Sequence, residues 1–467
     1  MKTHPLPTHI FMNTVCEPAR EIPVVLECDL CVIGGSCTGM FAAVRAARLG
    51  LSVALIEQNI LLGGMATAAQ VNEWHSLLDF PQARPLIGGL TTEVLSRLKR
   101  RDAAIEVPHP TGPRHRFNSA ELALELDALA AEHNIRLFLK TLCVGAVREG
   151  GRITAAIIED KSGRRAIRAR FFIDASGDGD LLRRAGFAAW KNEILQPVNY
   201  QMISAGLEPA VWQRIRQRAE EFGYPLENAT PWFFDYPSPA GLRNVFGPRL
   251  NGYDASDADE ATAAILEGRR CLRALLDMVR AETGEPVSAI ALAHSLGVRE
   301  TWHARCLYQV TGEDLLGGRS FPDTIACGTY PVDIHSPSGT ILRYLDGREV
   351  VVSPNTSAVN RRWRPDDVPS PTHYEIPYRS LVPEGAENLL VAGRLLDADR
   401  TAFGGIRVMV NTNQIGEAAG VAAYLALQSG RPAGEVSPRS LRRLLKDGGS
   451  LLQPVSLGNP SGVLSYE

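Results

Sequence analysis

Two glycines and one acidic residue have the spacing of a nucleotide-binding turn. Gly34 would allow a tight turn after a strand, and Gly39 would let the following helix pack closely against that strand. Ser36 replaces the second glycine of the dinucleotide fingerprint, but a small hydroxyl can still lie beside a phosphate and donate to it. Glu57, 23 residues after Gly34, could accept two hydrogen bonds from an adenosine ribose and would repel a 2′-phosphate. The pattern therefore predicts binding of FAD or NAD rather than NADP; the alternative is an ordinary glycine turn in a doubly wound sheet.

A strand, a helix and a second strand must position these residues. Residues 28–33 are almost continuously apolar, which is typical of a parallel strand covered on both faces. An alanine-rich helix over 40–49 and a strand over 52–56 follow, so we predict a βαβ unit. Cys28 and Cys31 are three residues apart on the first strand and face opposite ways, which indicates strand packing rather than a zinc site.

Further elements are indicated by capping residues, turns and apolar runs. Asn118 would cap an amphipathic helix, and hairpin turns would fall at 150–151 and 162–163. The predicted strands cover residues 135–139, 142–147, 153–158, 166–173 and 388–392, and the later predicted helices cover 256–282 and 413–427.

Composition excludes several classes of protein. The 467 residues make about three domains, or one large domain plus an insert. A net charge of -3 predicts no general attraction to nucleic acid or an anionic membrane. The uncharged stretch 30–44 is 15 residues long and interrupted by glycines, whereas a membrane span needs about 20 apolar residues. The first 20 residues lack a secretory pattern, and eight scattered cysteines do not suggest a disulfide scaffold. We therefore expect a cytoplasmic protein.

The order of several segments resembles the FAD-dependent oxidoreductases of the glutathione-reductase-like superfamily, the flavoproteins with two dinucleotide-binding domains. The matching segments are 34–39 with Glu57, 62–67, 172–181, 297–300, 328–335, 376–381, 388–394, 405–409 and 416–420. The resemblance implies an α/β fold in which a Rossmann-like FAD-binding domain has a parallel sheet, helices and a small β-meander. That domain would comprise residues 24–190 and 385–430, an inserted α+β substrate domain would cover 191–384, and a tail would cover 431–467.

The resemblance also implies FAD, with adenosine at the first turn and flavin at the later segments. It assigns to the cofactor Gly34, Gly35, Ser36, Cys37, Thr38, Gly39, Glu57, Gly63, Gly64, Met65, Ala66, Thr67, Val144, Ala175, Ser176, Gly177, Asp178, Gly393, Arg394, Gly405, Asn413 and Gln414. A helix N-terminus carries roughly half a positive charge, so one at Asn413 would stabilise reduced flavin at its N1–C2=O edge. The glycines and alanines that follow would admit either the flavin or a packed neighbour, and their place after the fingerprint favours the flavin.

Histidines are the first candidates for proton transfer, because oxidation of a substrate C–H bond at flavin N5 also releases an O–H or N–H proton. His335 follows Asp333 by two residues, and on a strand both side chains would share one face. His303 and His75 are weaker candidates. For each histidine the alternative is a hydrogen-bonded structural or surface role.

Arginines and one tyrosine complete the candidate site. Arg299, Arg394 and Arg407 lie in matching segments and could bind a carboxylate substrate or the flavin carbonyls, with structural ion pairing as the alternative. Tyr330 could donate a proton or only pack. Trp302 and the adjacent histidine stand where related chains often carry arginines.

We therefore expect a flavoenzyme that binds FAD noncovalently and oxidises or reduces a small organic molecule by hydride transfer to or from N5. The alternatives are an NAD-dependent dehydrogenase that uses the single N-terminal fingerprint and a catalytically inactive dinucleotide-binding protein. The expected partner is a small-molecule substrate, with no nucleic acid and no membrane. The sequence leaves open the direction of reaction, the electron acceptor or donor, covalent attachment through His75 or a cysteine, and the oligomeric state, a homo-oligomer included.

Overall fold

The computed structural model describes residues 14–81, 83–224, 232–353 and 358–455. Residues 1–13, which belong to the N-terminal stretch without a secretory pattern, and residues 456–467 of the predicted tail lie outside the described residues. The predicted division into two domains and a tail stays a prediction.

Ten α-helices occur in the described ranges. They are α1 (Cys37–Arg48), α2 (Leu90–Arg100), α3 (Ser119–Glu132), α4 (Asp180–Arg184), α5 (Pro209–Ile215), α6 (Ala258–Thr283), α7 (Gly312–Gly317), α8 (Arg400–Ile406), α9 (Met409–Ser429) and α10 (Pro438–Asp447). Not one of these helices has both the length and the apolar composition required to cross a membrane.

Twenty-two strands lie in the same part of the chain. They are β1 (Val24–Ile33), β2 (Val53–Glu57), β3 (Glu73–Trp74), β4 (Ala104–Val107), β5 (Arg114–Phe117), β6 (Arg136–Leu139), β7 (Leu142–Glu149), β8 (Arg152–Asp160), β9 (Gly163–Asp174), β10 (Ala189–Trp190), β11 (Val198–Ala205), β12 (Trp232–Asp235), β13 (Leu242–Leu250), β14 (Ser288–Leu292), β15 (His303–Ala304), β16 (Thr324–Gly328), β17 (Val332–Ser336), β18 (Gly339–Arg343), β19 (Arg348–Val352), β20 (Val359–Arg362), β21 (Tyr374–Pro377) and β22 (Leu389–Val391).

The largest sheet confirms the predicted α/β class. Strands β6, β2, β1, β9 and β22 run parallel, with β1 at the centre between β2 and β9. The first half of β9 pairs antiparallel with β8, and β8 pairs antiparallel with β7, so the predicted hairpins form the small meander. The carboxyl ends of β1, β2, β9 and β22 therefore meet at one edge, where ligands bind in open parallel sheets.

Helices α1 and α9 pack against each other at very short distance. A Cβ atom built on Gly416 would lie 2.1 Å from the Thr38 carbonyl oxygen, and one on Gly420 would lie 2.2 Å from the Ala42 carbonyl oxygen. The small residues of α9 thus admit the backbone of α1, so the interpretation that they admit flavin was wrong for this stretch. Helix α9 also begins at Met409, four residues before the predicted start.

The middle of the chain adds antiparallel sheets that face the same edge. One has the order β12-β13-β11-β14, and helix α6 packs against it around a core of its own. A second has the order β17-β18-β19-β20, and β17 and β18 are joined by a two-residue turn between Ser336 and Gly339. Helix α8 packs against β17. These sheets bring the middle of the chain to the carboxyl edge of the parallel sheet.

The C-terminal region holds a helix that the sequence analysis omitted. Leu441 and Leu445 of α10 are buried against the main core. Arg45 of α1 donates to the carbonyl oxygens of Leu444 and Gly448 at 2.9 and 2.7 Å and so satisfies the C-terminal end of α10.

A buried acid in α9 should make stability depend on pH. Burial raises the pKa of Glu417 to about 7, although Arg45 lies 3.8 Å away and opposes the shift. Between the unfolded value near 4.5 and 7 the native state binds more protons than the unfolded state, so the free energy of unfolding falls as pH rises through this window. We expect a decrease on the order of 3 kcal/mol, measured by urea unfolding at pH 4.5 and 7.5.

The substitution Glu417→Gln should remove most of that decrease because glutamine does not titrate. The exposed Glu313→Gln serves as the matched control and should keep the wild-type slope. An unchanged slope in Glu417→Gln would show that other groups determine the pH dependence.

Candidate functional site

A cavity of about 1400 Å³ opens at the carboxyl edge of the parallel sheet. This volume exceeds the roughly 300–1,000 Å³ of an ordinary small-molecule pocket, and it leaves room for a dinucleotide together with a substrate. The predicted cofactor residues that line it are Gly34, Ser36, Cys37, Thr38, Glu57, Gly63, Gly64, Met65, Ala175, Ser176, Gly177, Asp178, Gly393, Arg394 and Asn413.

The turn between β1 and α1 forms one wall. Gly34 has φ +96°, and a Cβ atom there would lie 2.5 Å from the Ala175 carbonyl oxygen. A Cβ on Gly39 would lie 1.9 Å from the Gly34 carbonyl oxygen. Ser36 is the N-cap of α1, and its hydroxyl accepts from the Gly39 backbone N–H at 3.4 Å. The helix therefore begins at the cavity wall, where its N-terminal N–H groups favour an anionic group such as a phosphate.

Glu57 ends β2 at the same wall and is held by three short hydrogen bonds. One carboxylate oxygen accepts from the Gly35 N–H at 2.7 Å, and the other accepts from the backbone and side-chain nitrogens of Asn59, each at 2.7 Å. A carboxylate has about four lone-pair sites, so about one is left for a hydroxyl in the cavity. Gly35 lies behind Glu57 rather than in the lining.

A second set of contacts ties three distant segments together along the cavity. Arg394 donates to the Gly177 carbonyl oxygen and to the Asp178 carboxylate, both at 2.7 Å. Thr301 donates to the same carboxylate oxygen at 2.7 Å and also contacts Arg394. Arg394 is thus engaged by the protein, and its role here is to fix the loop after β9 against the loop after β22.

The start of α9 closes the cavity between these segments. Met409, Thr412 and Asn413 line it, and the N-cap residue Val408 supplies no side-chain capping bond. The side-chain oxygen of Asn413 is buried without a hydrogen-bond partner in the described part of the chain. The uncapped helix N-terminus offers N–H donors to the acceptor edge of a ring such as isoalloxazine, and the unpartnered Asn413 oxygen fits the N–H donor of the same ring.

The remaining predicted cofactor residues do not reach the cavity lining. Gly39 and Gly405 are required for packing, and Gln414 bonds the β16 backbone through the Cys327 carbonyl oxygen at 2.8 Å. Thr67 donates to the Leu62 carbonyl oxygen at 2.6 Å and holds the second glycine-rich stretch. Ala66 is fully buried. Val144 is not in the lining, although the two residues before it, Leu142 and Cys143, are.

A polar cluster centred on Asp333 also lines the cavity. One carboxylate oxygen accepts from the Tyr330 hydroxyl at 2.8 Å, from Arg407 at 2.9 Å and from Nε2 of His335 at 3.1 Å. The other oxygen is buried with no partner in the described residues. Burial would raise the pKa of Asp333, but His335, then Arg407 and Tyr330, outweigh burial and hold the pKa well below its usual range. Asp333 is therefore ionised.

His335 is positioned by the hairpin of β17 and β18. It lies directly opposite Thr340, and its Nδ1 is 2.8 Å from the Thr340 hydroxyl. Burial lowers the pKa of His335 to about 3, although Asp333 acts in the opposite direction. Because the ionised Asp333 can only accept, Nε2 carries the proton of the neutral ring and Nδ1 accepts from Thr340. The predicted sharing of one face by Asp333 and His335 is confirmed.

The other predicted catalytic side chains have different surroundings. Arg299 lines the cavity. His75 also lines it, with its ring centroid 4.2 Å from that of Tyr330. Burial lowers the pKa of His75 to about 3. His303 lies outside the lining; it is fully buried, 3.3 Å from Glu300 and stacked on Trp190.

The environment of His303 indicates a structural role rather than contact with substrate. Trp302 beside it has Arg183 and Lys191 over its ring at 4.0 and 4.1 Å. Trp302 thus packs against two cationic side chains outside the Asp333 cluster.

The sequence analysis missed several residues of the cavity wall. Arg249, Thr340, Glu73 and Arg114 all line or border the cavity. Thr340 could have been found, because Pro337–Gly339 has the composition of a hairpin turn that would place it opposite His335. Arg249 carries no comparable local signal.

Comparison with known proteins gives a family match and more distant relatives. The family model described as FAD dependent oxidoreductase matches residues 29–445. Digeranylgeranylglycerophospholipid reductase of Thermoplasma acidophilum is 26% identical over 239 residues, 48% of this chain and 57% of the relative. The enzyme of the same name from Thermoplasma volcanium is 26% identical over 197 residues, 39% of this chain and 48% of the relative. The chain thus spans about half the length of the curated relatives it matches.

Solved structures with a similar chain path have low identity. A geranylgeranyl bacteriochlorophyll reductase-like protein from Thermoplasma acidophilum aligns over 90% of this chain and 83% of its own, with 15% identity and a TM-score of 0.43. A p-nitrophenol 4-monooxygenase from Pseudomonas putida aligns over 91% and 84%, with 10% identity and a TM-score of 0.43.

Proposed function

The chain belongs to the family of FAD-dependent oxidoreductases, and from that premise we propose that it transfers a hydride between a small organic substrate and N5 of FAD held in the cavity. One observation carries this proposal: the nucleotide-binding turn at Gly34, the start of α9 and the Asp333–His335 pair all face a single cavity. FAD is the cofactor of the family, so the NAD-dependent alternative loses its basis.

The residues that would hold FAD fall into two groups. The N-terminus of α1 would bind the pyrophosphate, and Glu57 would accept from the adenosine ribose. The start of α9 and the glycine-rich stretch at Gly63–Met65 would hold the flavin. When bound, the flavin supplies the hydride acceptor or donor, which no side chain of the protein can replace.

The Asp333 cluster would manage the proton that accompanies hydride transfer. Thr340 donates to Nδ1 of His335, so a substrate proton delivered to the Thr340 oxygen could pass on to Nδ1. The resulting imidazolium would be stabilised by Asp333 across the 3.1 Å contact at Nε2. Asp333 would be a positioning residue, and Tyr330 and Arg407 would hold its carboxylate in place.

The cofactor claim is tested on the purified protein. We expect a yellow protein whose flavin absorbance bleaches with dithionite, and noncovalent FAD that is released when the protein is denatured. A colourless protein that cannot be reconstituted with FAD would contradict the proposal. Flavin that stays with the denatured chain would instead indicate covalent attachment.

Turnover is tested separately by anaerobic screening of small organic molecules for flavin bleaching. Bleaching by any of them favours an active enzyme over the inactive dinucleotide-binding protein, and reoxidation by oxygen or a quinone then identifies the electron acceptor. If the flavin is instead reduced by NADH or NADPH and reoxidised by a substrate, the reaction runs in the opposite direction.

A further inference from the structure

The cavity wall around His335 has an excess of positive charge. Arg249, Arg299 and Arg407 all line it, whereas Asp333 is engaged by Arg407. Within the described ranges, no carboxylate forms an ion pair with Arg249 or Arg299. Asp333 is near enough to favour the charged forms of Arg249 and Arg299, but one carboxylate does not balance three enclosed guanidinium groups, so the wall favours an anion that binds there.

Each of the two arginines is held by a single hydrogen bond among the described residues. Arg249 donates to the Thr340 hydroxyl at 3.2 Å, and Arg299 donates to the Pro197 carbonyl oxygen at 2.7 Å. A guanidinium has five N–H donors, so most of the donors of both side chains remain available to a ligand. The bonds fix the direction of each side chain without neutralising its charge.

The arginines also repel one another. Burial first, and then the charges of Arg407 and Arg249, lower the pKa of Arg299 to about 9, so it stays charged at neutral pH at a cost. Burial likewise lowers the pKa of Arg249. An anion bound to both side chains would relieve this repulsion.

The neighbouring lining is apolar and aromatic. Phe246 precedes Arg249 by three residues on β13 and lines the same cavity, as do Phe234 and Tyr344. The centroids of Phe234 and Phe246 are 6.2 Å apart. Such a surface fits a ligand whose anionic group binds the arginines and whose remaining part is apolar.

We propose that the substrate is an apolar carboxylic acid whose carboxylate binds Arg249 and Arg299 and whose body packs against Phe234 and Phe246. This inference rests on the proposed function, because it names the substrate class of the same site. A carboxylate matches the planar donor edge of a guanidinium.

The bound carboxylate would also change the proton chemistry of His335. Arg299 and Arg249 both act to lower the pKa of His335. A carboxylate that neutralises them removes that effect and raises the pKa of the imidazole. His335 would then become an effective base when substrate is present.

The test uses the FAD-loaded enzyme and probes that form charged and neutral pairs with the same apolar body. Cinnamate, phenylacetate and octanoate are titrated alongside their neutral amides, and binding is followed by the change in flavin absorbance. We expect at least one carboxylate to bind about 10- to 100-fold more tightly than its amide, since each charged hydrogen bond is worth roughly 1.5–3 kcal/mol.

Arginine variants then locate the binding group. In Arg249→Gln and Arg299→Gln we expect the carboxylate affinity to fall by about the same factor as above, while the amide affinity is retained. Arg243→Gln is the control, because Arg243 lies on the same strand but pairs with Asp235 and Glu208. At low salt the unfolding temperature of both cavity variants should be equal to or higher than that of wild type, because each variant removes repulsion between neighbouring arginines.

The outcomes separate this inference from the proposed function. If every carboxylate binds no more tightly than its amide, or if the variants keep the wild-type preference, the carboxylate inference is overturned while the flavoenzyme stands. If the variants lose FAD instead, the arginines serve the cofactor and the inference is also overturned. If the variants do not fold, the carboxylate–amide comparison in the wild-type protein still decides. A wild-type protein without FAD would contradict the proposed function itself.

Discussion

Replacing His335 with glutamine in the FAD-loaded enzyme is expected to slow flavin reduction by substrate about 10²- to 10⁴-fold. Glutamine can keep a hydrogen bond to Thr340 or Asp333, but it cannot hold the proton that leaves the substrate. The measurement is the stopped-flow rate of flavin bleaching under anaerobic conditions, with the first bleaching substrate found. Retained FAD absorbance shows that the cofactor site is intact.

The pH profile distinguishes a base from a structural residue. Because burial lowers the pKa of His335 to about 3, the ring is neutral throughout pH 5–8 in the free enzyme. The profile of kcat/KM should therefore lack the acidic limb of an ordinary histidine near pH 6.5. The profile of kcat should show an acidic limb at higher pH than kcat/KM, because bound carboxylate raises the pKa. The glutamine variant should lose that limb.

Two further variants complete this test. Asp333→Asn combined with His335→Gln should be little worse than His335→Gln alone, because Asp333 acts through the imidazole. His133→Gln is the control, since that histidine lies outside the cavity beside Arg48. Additive losses in the double variant would show that Asp333 has an independent role.

The parts of the fold that local patterns determine were predicted well. The apolar run before Gly34, the alanine-rich helix after it and the hairpin turns at 150–151 and 162–163 all have the predicted type, with ends within a few residues. Each of these depends on the period of apolar residues or on turn composition, which neighbouring residues carry themselves.

The residues of the cavity wall around His335 were less predictable from the sequence. Arg249 reaches the cavity only because β13 pairs with β11 in one particular register, and that register depends on strands distant in sequence. Thr340 meets His335 across a hairpin and was within reach of local reasoning. The sequence analysis therefore missed Arg249 because strand pairing between distant segments places it in the cavity, and no local pattern of residue types indicates that pairing.

The start of α9 illustrates a different limit. The sequence analysis starts this helix at Asn413, yet the helix begins at Met409, one turn earlier, and buries the asparagine. Tight packing of α1 on Gly416 and Gly420 requires helical backbone before those residues. As a result the N-terminal residues of the helix line the cavity, whereas Gly416 and Gly420 do not.

The same close packing makes the nucleotide-binding turn intolerant of a single methyl group. In Gly39→Ala the added Cβ would lie 1.9 Å from the Gly34 carbonyl oxygen, so either the turn or the first turn of α1 must move. The pyrophosphate site depends on both, and we expect FAD to be lost during purification. Overpacking of this kind costs typically about 1–3 kcal/mol of stability, and the loss of bound FAD lowers apparent stability further.

The measurement is the ratio of flavin to protein absorbance after gel filtration, together with the unfolding temperature with and without added FAD. Gly317→Ala is the matched control, because a Cβ there meets no atom within 4 Å, and it should keep a full complement of FAD. Because added FAD binds the native state only, it should raise the unfolding temperature of the control and of wild type but not that of Gly39→Ala. A Gly39→Ala protein that stays yellow would mean that the turn can shift without disturbing the cofactor, and the assignment of the pyrophosphate to the N-terminus of α1 would then have to be abandoned.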